Sequence, residues 1–416
     1  MADTPAQIDL SGQDWLHANG LQRLFDALEK AGAEARAVGG AVRNSLVSVP
    51  VADVDIATTA RPEDVIAAVN AAGLKPIPTG VDHGTVTVLS EGEAYEVTTL
   101  RRDVETFGRQ AKVVFGSDWI EDAKRRDFTL NAIYADRAGT LFDPLGGVPD
   151  CLAGRVRFIG NPEGRIREDY LRILRFFRIH ATYGKGKLDP EGLAACARLQ
   201  EGLQTLSSER IGAEMKRLLP ASGGSSVVPE MAQKGILHQV LLQDADTDVY
   251  CRLHGYAAIR NTPIPFTTYL VALIGLSEST LRKVAERLRL SNRELDHMLS
   301  VAKAAETQST SNPPIDPRLQ LYHFGAVASL QAAFLSFSAH EHVSSADGLS
   351  DCQEAFLSAL ENEELPVFPI QGKDLISAGM APGPEIGAAL KKLENIWIAG
   401  GLKQGRSELL KLAVTT

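Results

Sequence analysis

The sequence contains few cysteines, and its basic residues are fewer than its acidic residues. Four cysteines occur among 416 residues. They are widely scattered and form no Cys-x-x-Cys pair, so neither a zinc site nor a disulfide framework is indicated. Basic residues (43) are fewer than acidic residues (52), and the resulting net charge of −9 argues against a protein that coats nucleic acid indiscriminately. A specific RNA-binding cleft is still allowed, because the distribution of charge counts more than its sum.

Long apolar segments are also lacking. The chain has no run of about 20 apolar residues, so we expect no membrane-spanning helix and no membrane partner. The first residues, MADTPAQIDLSGQDWL, contain neither a basic region nor a long apolar run, and we do not expect them to form a signal peptide. Together with the scattered cysteines, this predicts a protein of the reducing cytoplasm. The length of the chain favours more than one domain.

The segment AVGGAVRNSLVSVPVADVDIATTA is the most informative part of the chain. Its apolar start predicts the end of a strand, and Gly39 and Gly40 predict a tight turn in which the backbone approaches a bulky anion. Further on, Asp53 and Asp55 alternate with apolar residues, which predicts a strand carrying both carboxylates on one face. Their repulsion, about 3–4 kcal/mol at an effective dielectric of roughly 20, would be relieved by divalent cations. A solvated strand face is the simpler alternative.

A third carboxylate, Glu96, lies in another strand-like run, EAYEVTTL. On a neighbouring strand it would complete or orient a metal site, or it would simply be solvated. Hard oxygen ligands of this kind suit Mg²⁺ that bridges the phosphates of a nucleotide. The sequence therefore predicts Asp53 and Asp55 as catalytic metal ligands and Glu96 as a third candidate.

A second motif, KRRDFTLNAIYAD, carries groups suited to a nucleotide. The guanidinium groups of Arg125 and Arg126 are suited to bidentate contact with triphosphate oxygens. Asp127 and Asn131 offer acceptors and donors for a ribose hydroxyl. The alternative is an Arg–Asp surface pair with Phe128 in the core.

In this order, the motifs resemble those of the nucleotidyltransferase superfamily built on a palm of the DNA polymerase β type. VGGAVRN, DVDIATTA and RRDFTLNA together are similar to the bacterial class II tRNA nucleotidyltransferase (CCA-adding enzyme) and poly(A) polymerase family. The resemblance assigns Gly39, Gly40 and Arg43 to nucleotide binding. The family's first motif usually reads Gly-Gly-x-Val-Arg-Asp, whereas this chain has Asn44 in place of the Asp. An amide keeps one acceptor of the carboxylate.

A helix is predicted for GNPEGRIREDYLRILRFFRIHATYG, beginning near Pro162 and ending near Gly184. Asp169 and Arg172 are three residues apart and would share a face, where the simplest interpretation is an intrahelical ion pair. The resemblance implies more. The two side chains would present a hydrogen-bonding edge that accepts cytosine and adenine, whereas guanine and uracil would leave buried polar groups unpaired.

Seven arginines occur between positions 155 and 178 and form a candidate electrostatic footprint for RNA. Among them, Arg175 and Arg178 are expected to contact the nucleotide or RNA phosphates, or to support the helix. The resemblance also implies a flexible loop over residues 103–124, which takes part in the switch from C to A addition. Near the end of the chain, Pro382-Gly383-Pro384 must end one helix and start another.

These expectations combine into an α+β fold with three parts. Residues 1–150 are expected to form a nucleotidyltransferase head, a polymerase-β-type palm with a small mixed sheet and helices. Residues 151–245 would form a helical neck that recognises the base. Residues 246–416 would form a helical body and tail that bind tRNA.

The implied reaction is template-independent addition of CCA to the 3′ end of tRNA. CTP and ATP would be the substrates, Mg²⁺ the cofactor and pyrophosphate the leaving product. The tRNA would be bound through its acceptor and T arms, and no stable protein partner is implied. A poly(A) polymerase, or a partial enzyme that adds only CC or only A, stays open on the same fold. A non-catalytic RNA-binding protein that kept the palm is the alternative from a different class.

Overall fold

The computed structural model describes residues 8–78, 80 and 81, 84–107, 110–310, 315–339 and 349–414. Contacts between Cα atoms divide the chain into two compact units. Unit 1 comprises Met1–Glu214 and Ala221–Val240, and unit 2 comprises Met215–Pro220 and Leu241–Thr416. The described strands all lie in unit 1, whereas unit 2 is helical in its described parts, so the predicted α+β class is confirmed. The boundary between head and neck, which falls inside unit 1, stays a prediction.

Unit 1 is built on a mixed sheet. Its strands and those of a separate hairpin are β1 (Ala35–Val38), β2 (Asp55–Thr58), β3 (Lys75–Ile77), β4 (Thr85–Ser90), β5 (Glu93–Thr99), β6 (Arg101–Phe107), β7 (Gln110–Phe115), β8 (Tyr134–Ala135) and β9 (Leu141–Phe142). The order in the larger sheet is β3-β4-β5-β2-β1-β8-β9. Strands β2 and β5 pair in parallel, and the other neighbours in this sheet are antiparallel.

The helices of unit 1 surround this sheet and continue beyond it. They are α1 (Asn19–Lys30), α2 (Gly40–Leu46), α3 (Pro62–Ala71), α4 (Trp119–Lys124), α5 (Gly147–Leu152), α6 (Pro162–Glu168), α7 (Leu171–Tyr183), α8 (Pro190–Leu199), α9 (Ser208–Leu218), α10 (Gly224–Gln233) and α11 (Ile236–Leu241), of which α9 and α11 end in unit 2. Helices α1 and α3 pack on each other and on β4. Leu21, Leu24 and Leu28 recur at helical spacing on α1 and are fully buried in this core.

The segment predicted to be a loop, residues 103–124, has regular secondary structure where it is described. Strands β6 and β7 pair antiparallel, and α4 follows. The Asp118 side chain caps α4, because it accepts hydrogen bonds from the amides of Ile120 and Glu121. The prediction of a loop is therefore wrong in its secondary structure, since strand pairing and a cap satisfy the backbone groups. Gly108 and Arg109 lie outside the described residues.

The predicted neck helix is two helices, α6 and α7, that meet at a break. Its predicted start and end are confirmed, but a single continuous helix is wrong. Asp169 lies in the break with extended dihedral angles (φ −156°, ψ 107°). The Arg172 side chain explains part of the break, because its Nη1 donates to the carbonyl oxygen of Arg165 at 2.8 Å. A continuous helix would use that carbonyl for its own backbone ladder.

The helices of unit 2 are α12 (Thr247–Ile259), α13 (Phe266–Ile274), α14 (Glu278–Arg287), α15 (Asn292–Thr310), α16 (Pro317–Ala339), α17 (Asp351–Asn362), α18 (Gly372–Ser377), α19 (Pro384–Ala399) and α20 (Arg406–Val414). Helix α16 is kinked at Gly325, where φ is 72°. Helix α19 begins at Pro384, which confirms the predicted start of a helix at the Pro-Gly-Pro segment. No helix in the described ranges has the length and apolar composition needed to cross a membrane.

Candidate active site

The glycine turn and two of the predicted acidic residues lie at one end of the central strands. Strand β1 ends at Val38, which pairs with Asp55 at the start of β2. Gly39 follows with φ 72°, a left-handed conformation that glycine adopts without steric cost, and Gly40 begins α2. Because β2 and β5 are parallel and Asp55 is in register with Glu96, these two carboxylates stand side by side on one face. The structure therefore places Glu96 on the strand next to Asp55.

Asp53 also lies near the Asp55 carboxyl, but it does not lie on the same strand as predicted. The prediction that it shares the strand of Asp55 is wrong, because β2 begins at Asp55 and Asp53 lies in the preceding loop. Asp55 is an exposed residue. The protein around its carboxyl nevertheless excludes part of the solvent, and this desolvation raises the pKa of the carboxyl. Nearby Glu96 and Asp53 raise this pKa further, and Arg126 partly offsets them.

This donor set fits a divalent cation at the Asp53–Asp55 pair. Both groups are exposed carboxylates, which are the hard oxygen ligands that Mg²⁺ prefers. Burial and the neighbouring Glu96 and Asp53 carboxylates raise the pKa of the Asp55 carboxyl, and a bound cation would favour its charged form. Across the described residues, no group of three or more His, Cys, Asp or Glu side chains is arranged to hold a metal ion. The role of Glu96 as a third ligand stays a prediction.

Arg126 lies beside the glycine turn, and its guanidinium group is held by Asp122 and Tyr134. A Cβ built on Gly39 would lie 3.9 Å from its Nη1 atom. Its Nη2 contacts the Asp122 Oδ2 at 3.2 Å, and its Nε lies 3.2 Å from the Tyr134 hydroxyl. Asp122 is buried and also pairs with Arg125. The fixed Arg126 guanidinium therefore adds positive charge next to the acidic pair and the turn.

The other predicted nucleotide-binding residues of the head are joined to one another. Arg43 is buried and donates from Nη1 to the Asn131 Oδ1, while its Nη2 contacts the Tyr183 hydroxyl at 2.8 Å. Asn131 in turn donates to the Asp127 Oδ1 at 2.9 Å. The second Asp127 oxygen accepts from the Arg175 Nε at 2.7 Å. These contacts form one chain that links α2 to α7 within unit 1.

The chain of contacts extends along α7. Arg178 donates to Glu214 on α9 at 2.5 Å, and Arg175 lies 4.0 Å from the other oxygen of that carboxylate. Burial would raise the pKa of Asp127, but the Arg175 charge and the Asn131 hydrogen bond together lower it below its usual value. Burial also lowers the pKa of the Arg43 guanidinium. The side chains of this network orient one another, and their predicted contact with nucleotide stays a prediction.

Loss of the Asp127 charge is expected to destabilise the folded protein. The Asp127→Asn variant removes the nearer countercharge of the Arg175 guanidinium and leaves only the Glu214 carboxylate at 4.0 Å, so we expect a loss of about 1–3 kcal/mol in the free energy of unfolding at neutral pH. Because the folded-state pKa of Asp127 lies below 3.8, its contribution is complete above that value. It disappears as the pH falls through the lower folded-state pKa. The difference from wild type should therefore be constant above about pH 5 and shrink below it.

Urea titrations at several pH values measure this difference. The matched control is Glu121→Gln, which breaks the exposed Lys124–Glu121 pair on α4. An exposed pair contributes little to stability, so this variant should resemble wild type throughout. Equal stabilities of the Asp127→Asn and Glu121→Gln variants would contradict the importance of the buried network.

Asp169 and Arg172 do not pair with each other. The Asp169 Oδ2 accepts from the Arg210 Nη2 at 2.7 Å, and the Arg172 Nη1 lies 2.6 Å from the Glu168 carboxylate. The simple prediction of an Asp169–Arg172 ion pair is therefore wrong, because the helix break turns the two side chains to different partners. Arg172 also donates from Nη2 to the backbone carbonyl of Arg125 at 3.3 Å, next to Arg126 in the chain.

A cavity of about 370 Å³ opens beside Asp169. Its lining includes Tyr170, Ser207 and Arg210. The Tyr170 ring lies against Gly202, where an added Cβ would come within 2.0 Å of it. One aromatic ring and the bonded Asp169–Arg210 pair thus lie around one space, which is a suitable setting for a planar polar ligand.

The glycine turn gives a prediction that separates backbone strain from site geometry. In Gly39→Ala, a side chain must adopt φ 72° with ψ −114°, a sparsely populated conformation that costs about 1–3 kcal/mol, while the new Cβ meets only ordinary contacts at 3.6 Å and beyond. Gly32→Ala is the control, because Gly32 has φ 79° and open space around it. We expect both variants to lose stability in urea, because each requires a side chain at positive φ. Only Gly39→Ala should lower activity beyond this loss, and equal activities would contradict a role for the turn in substrate binding.

Each of the seven arginines between positions 155 and 178 has a carboxylate partner. The partners and N–O distances are Asp150 for Arg155 (3.5 Å) and Arg157 (2.7 Å), Glu168 for Arg165 (2.6 Å) and Arg172 (2.6 Å), Glu163 for Arg167 (2.8 Å), Asp127 for Arg175 (2.6 Å) and Glu214 for Arg178 (2.5 Å). The positive charge of this segment is therefore largely balanced within unit 1. As a footprint for RNA it stays a prediction.

Several residues that organise the site were not predicted from the sequence. Asp122 lies three and four residues before Arg125 and Arg126 on or next to α4, and this helical spacing is a signal that could have identified it. Tyr183 and Glu214 lie far in sequence from the groups they contact, and their positions carry no local signal.

Comparisons with known proteins agree with this geometry. Residues 35–157 match the family model described as a poly A polymerase head domain, and residues 265–413 match the model described as a putative tRNA nucleotidyltransferase domain 2. The human mitochondrial CCA tRNA nucleotidyltransferase 1 is 34% identical, with 95% of this chain and 90% of the relative covered. The CCA-adding enzyme of Lacticaseibacillus paracasei is 31% identical, with 94% of each chain covered.

Solved structures lead to the same family. The Bacillus stearothermophilus CCA-adding enzyme, crystallised in complex with CTP, superposes with a TM-score of 0.74 at 27% identity, and 98% of each chain is covered. The Thermotoga maritima CCA-adding enzyme, solved with a tRNA, shares the fold with a TM-score of 0.66 at 18% identity. With the acidic pair, the glycine turn and Arg126 at one edge of the sheet, these matches over nearly the full length show that the chain belongs to the tRNA nucleotidyltransferase (CCA-adding enzyme) family.

Proposed function

We propose that this protein adds C, C and A to the 3′ end of tRNA, using CTP and ATP and releasing pyrophosphate. The observation that carries the proposal is the clustering of Asp53, Asp55 and Arg126 around the Gly39 turn in a chain of this family. Relatives whose printed names state the same activity cover nearly all of the chain, which supports the assignment. The four free cysteines agree with a reducing cytoplasm as the place of the reaction.

The catalytic role of each group follows from its chemistry. Asp53 and Asp55 would hold Mg²⁺, which neutralises charge on the transferring phosphoryl group when it is bound. The backbone amides in the first turn of α2 have no acceptor within the helix and are suited to phosphate oxygens. Arg126, fixed by Asp122, adds a positive charge at the same edge. These groups bind and orient the triphosphate so that the α-phosphate faces the 3′ hydroxyl of the RNA.

Base selection is assigned to the neck. Asp169 offers an acceptor that matches the exocyclic amine shared by cytosine and adenine, and Arg172 offers donors for a ring acceptor. Both are held by partners other than each other, Arg210 and Glu168. A base that binds here would therefore compete with an existing partner on each side, and only a base with the complementary edge would compensate for that loss.

The experiment that tests the proposal supplies tRNA lacking its final three, two or one nucleotides. Each substrate is incubated with the protein, Mg²⁺ and either one labelled nucleoside triphosphate or CTP and ATP together, and the 3′ ends are sequenced. The proposal expects completion to CCA and then arrest. Addition of only CC, or of only A, would identify a partial enzyme, and long A tails on unrelated RNA would identify a poly(A) polymerase. Absence of incorporation would favour the RNA-binding alternative.

A further inference from the structure

Asn44 lies on α2 just after the glycine turn, and its amide group makes two different contacts. The Asn44 Oδ1 accepts from the Arg43 Nη2 at 3.1 Å. The Asn44 Nδ2 donates to the backbone carbonyl oxygen of Pro50 at 2.9 Å. One partner is a pure donor and the other is a pure acceptor, so the orientation of the amide is fixed by its surroundings.

The backbone of Asn44 holds the same stretch of chain. Its carbonyl oxygen accepts from the amides of Val47 (3.2 Å) and Val49 (2.9 Å) just after α2. Between them, Ser48 adopts φ 56°, an uncommon conformation for a residue other than glycine. Asn44 therefore anchors the start of residues 47–54, which we call the Asp53 loop. This loop has no strand or helix of its own and leads directly to Asp53 and Asp55.

The anchor lies close to the acidic pair along the chain. Pro50 is three residues before Asp53, and three residues span at most about 10 Å. Pro50 has no backbone N–H to donate, and its carbonyl oxygen is held by the Asn44 amide. A loop with few contacts would let Asp53 move relative to Asp55, whose position is fixed by strand pairing.

We propose that Asn44 is a positioning residue that fixes the Asp53 loop through Pro50 and so sets the placement of Asp53 beside Asp55 for cation binding. An aspartate at this position cannot reproduce the contact, because its carboxylate would face the Pro50 carbonyl oxygen, and neither group can donate. It would keep the contact to Arg43. The substitution Asn44→Asp therefore removes one contact and preserves the other, and Asn44→Ala removes both. The inference rests on the proposed function, because it assigns the acidic pair to a nucleotide-bound cation.

The test combines two measurements that do not depend on turnover. Hydrogen–deuterium exchange on a peptide that covers residues 47–54 reports the loop, and electron paramagnetic resonance titration with Mn²⁺ in the presence of CTP reports the cation site. For both Asn44→Asp and Asn44→Ala we expect faster exchange in this peptide and Mn²⁺ binding weakened about 10-fold. The Mg²⁺ concentration for half-maximal CTP incorporation should rise by a similar factor, while the rate at saturating Mg²⁺ stays near that of wild type.

The control is Asn70→Asp, which makes the same chemical change at an exposed position on α3. It should leave exchange, Mn²⁺ binding and Mg²⁺ dependence as in wild type. Unchanged Mn²⁺ binding in both Asn44 variants, or an equal shift in Asn70→Asp, would overturn the proposal. A purely structural role would lower the melting temperature without changing Mn²⁺ affinity, and this result would also overturn it. If the wild-type protein incorporates no nucleotide, the proposed function fails, whereas exchange and Mn²⁺ binding still decide the role of Asn44.

Discussion

Replacing Asp55 by asparagine is expected to abolish nucleotide incorporation, with a loss of about 10³-fold or more. The carboxylate is one of the two proposed cation ligands, and a bound cation contributes several kcal/mol to stabilisation of charge in phosphoryl transfer. The asparagine has nearly the same volume and keeps an oxygen acceptor, so the packing of β2 against β1 and β5 should be preserved. Single-turnover incorporation of labelled CTP into tRNA lacking CCA measures the effect. The Asp53→Asn variant should show a loss of the same order.

In this variant, a loss of activity can be distinguished from a loss of folding stability. Because the pKa of the Asp55 carboxyl is raised, the folded protein favours the neutral form of this group more than the unfolded chain does. Removing the charge should therefore leave the melting temperature unchanged or slightly raised. The matched control is Asp64→Asn, an exposed carboxylate on α3 of the same unit, which should retain full activity. Turnover by Asp55→Asn at more than about a tenth of the wild-type rate would refute the assignment of the cation ligands.

The second large effect is expected at Asp169. In the Asp169→Ala variant, the preference for CTP over UTP should fall by about 10- to 100-fold, because the alanine offers no acceptor to the exocyclic amine of cytosine and no penalty to uracil. The kcat/KM value for CTP itself should fall by a smaller factor than the CTP-over-UTP preference does. Steady-state kcat/KM values for CTP and UTP, measured on one tRNA substrate, give the ratio directly.

Two further variants distinguish a loss of base recognition from a general loss of structure around Asp169. Arg210→Ala removes the partner of Asp169 but keeps the carboxylate, so it should change KM for CTP while the preference over UTP is retained. Glu201→Ala, an exposed acidic residue that precedes the cavity lining, should behave as wild type. An unchanged CTP-over-UTP ratio in Asp169→Ala would dismiss the idea that this side chain reads the base.

Local pattern in the sequence predicted the parts of the head whose structure is determined locally. Alternating apolar residues identified the strand around Glu96, and Gly39 identified the turn, which has positive φ. The adjacency of Glu96 to Asp55 follows from the parallel pairing of β2 with β5, and the sequence only allowed it as one arrangement. Asp53 was misplaced because two residues of alternation do not define where a strand begins.

Tertiary contacts decided the features that the sequence did not predict. The break at Asp169 contains neither glycine nor proline, and it is maintained by Arg172, which bonds a helical carbonyl, and by Arg210, which bonds the Asp169 carboxylate. Arg43 and Asn131 were predicted to contact the nucleotide, yet their groups meet each other across 88 positions in sequence. Contacts between residues so far apart in sequence depend on how whole helices and strands pack. Local sequence propensity does not predict them.

If RNA binds over residues 155–178 as predicted, the pairing of all seven arginines in this segment would affect how the RNA leaves the protein. A phosphate that approaches one of these guanidinium groups must share it with a carboxylate that already bonds it, so each contact is an exchange of partners and adds little net affinity. When such an RNA departed, the five carboxylates that the seven arginines share would again be their partners. Release of a completed product from this surface would therefore cost little free energy, which would help the protein to act repeatedly on many RNA molecules.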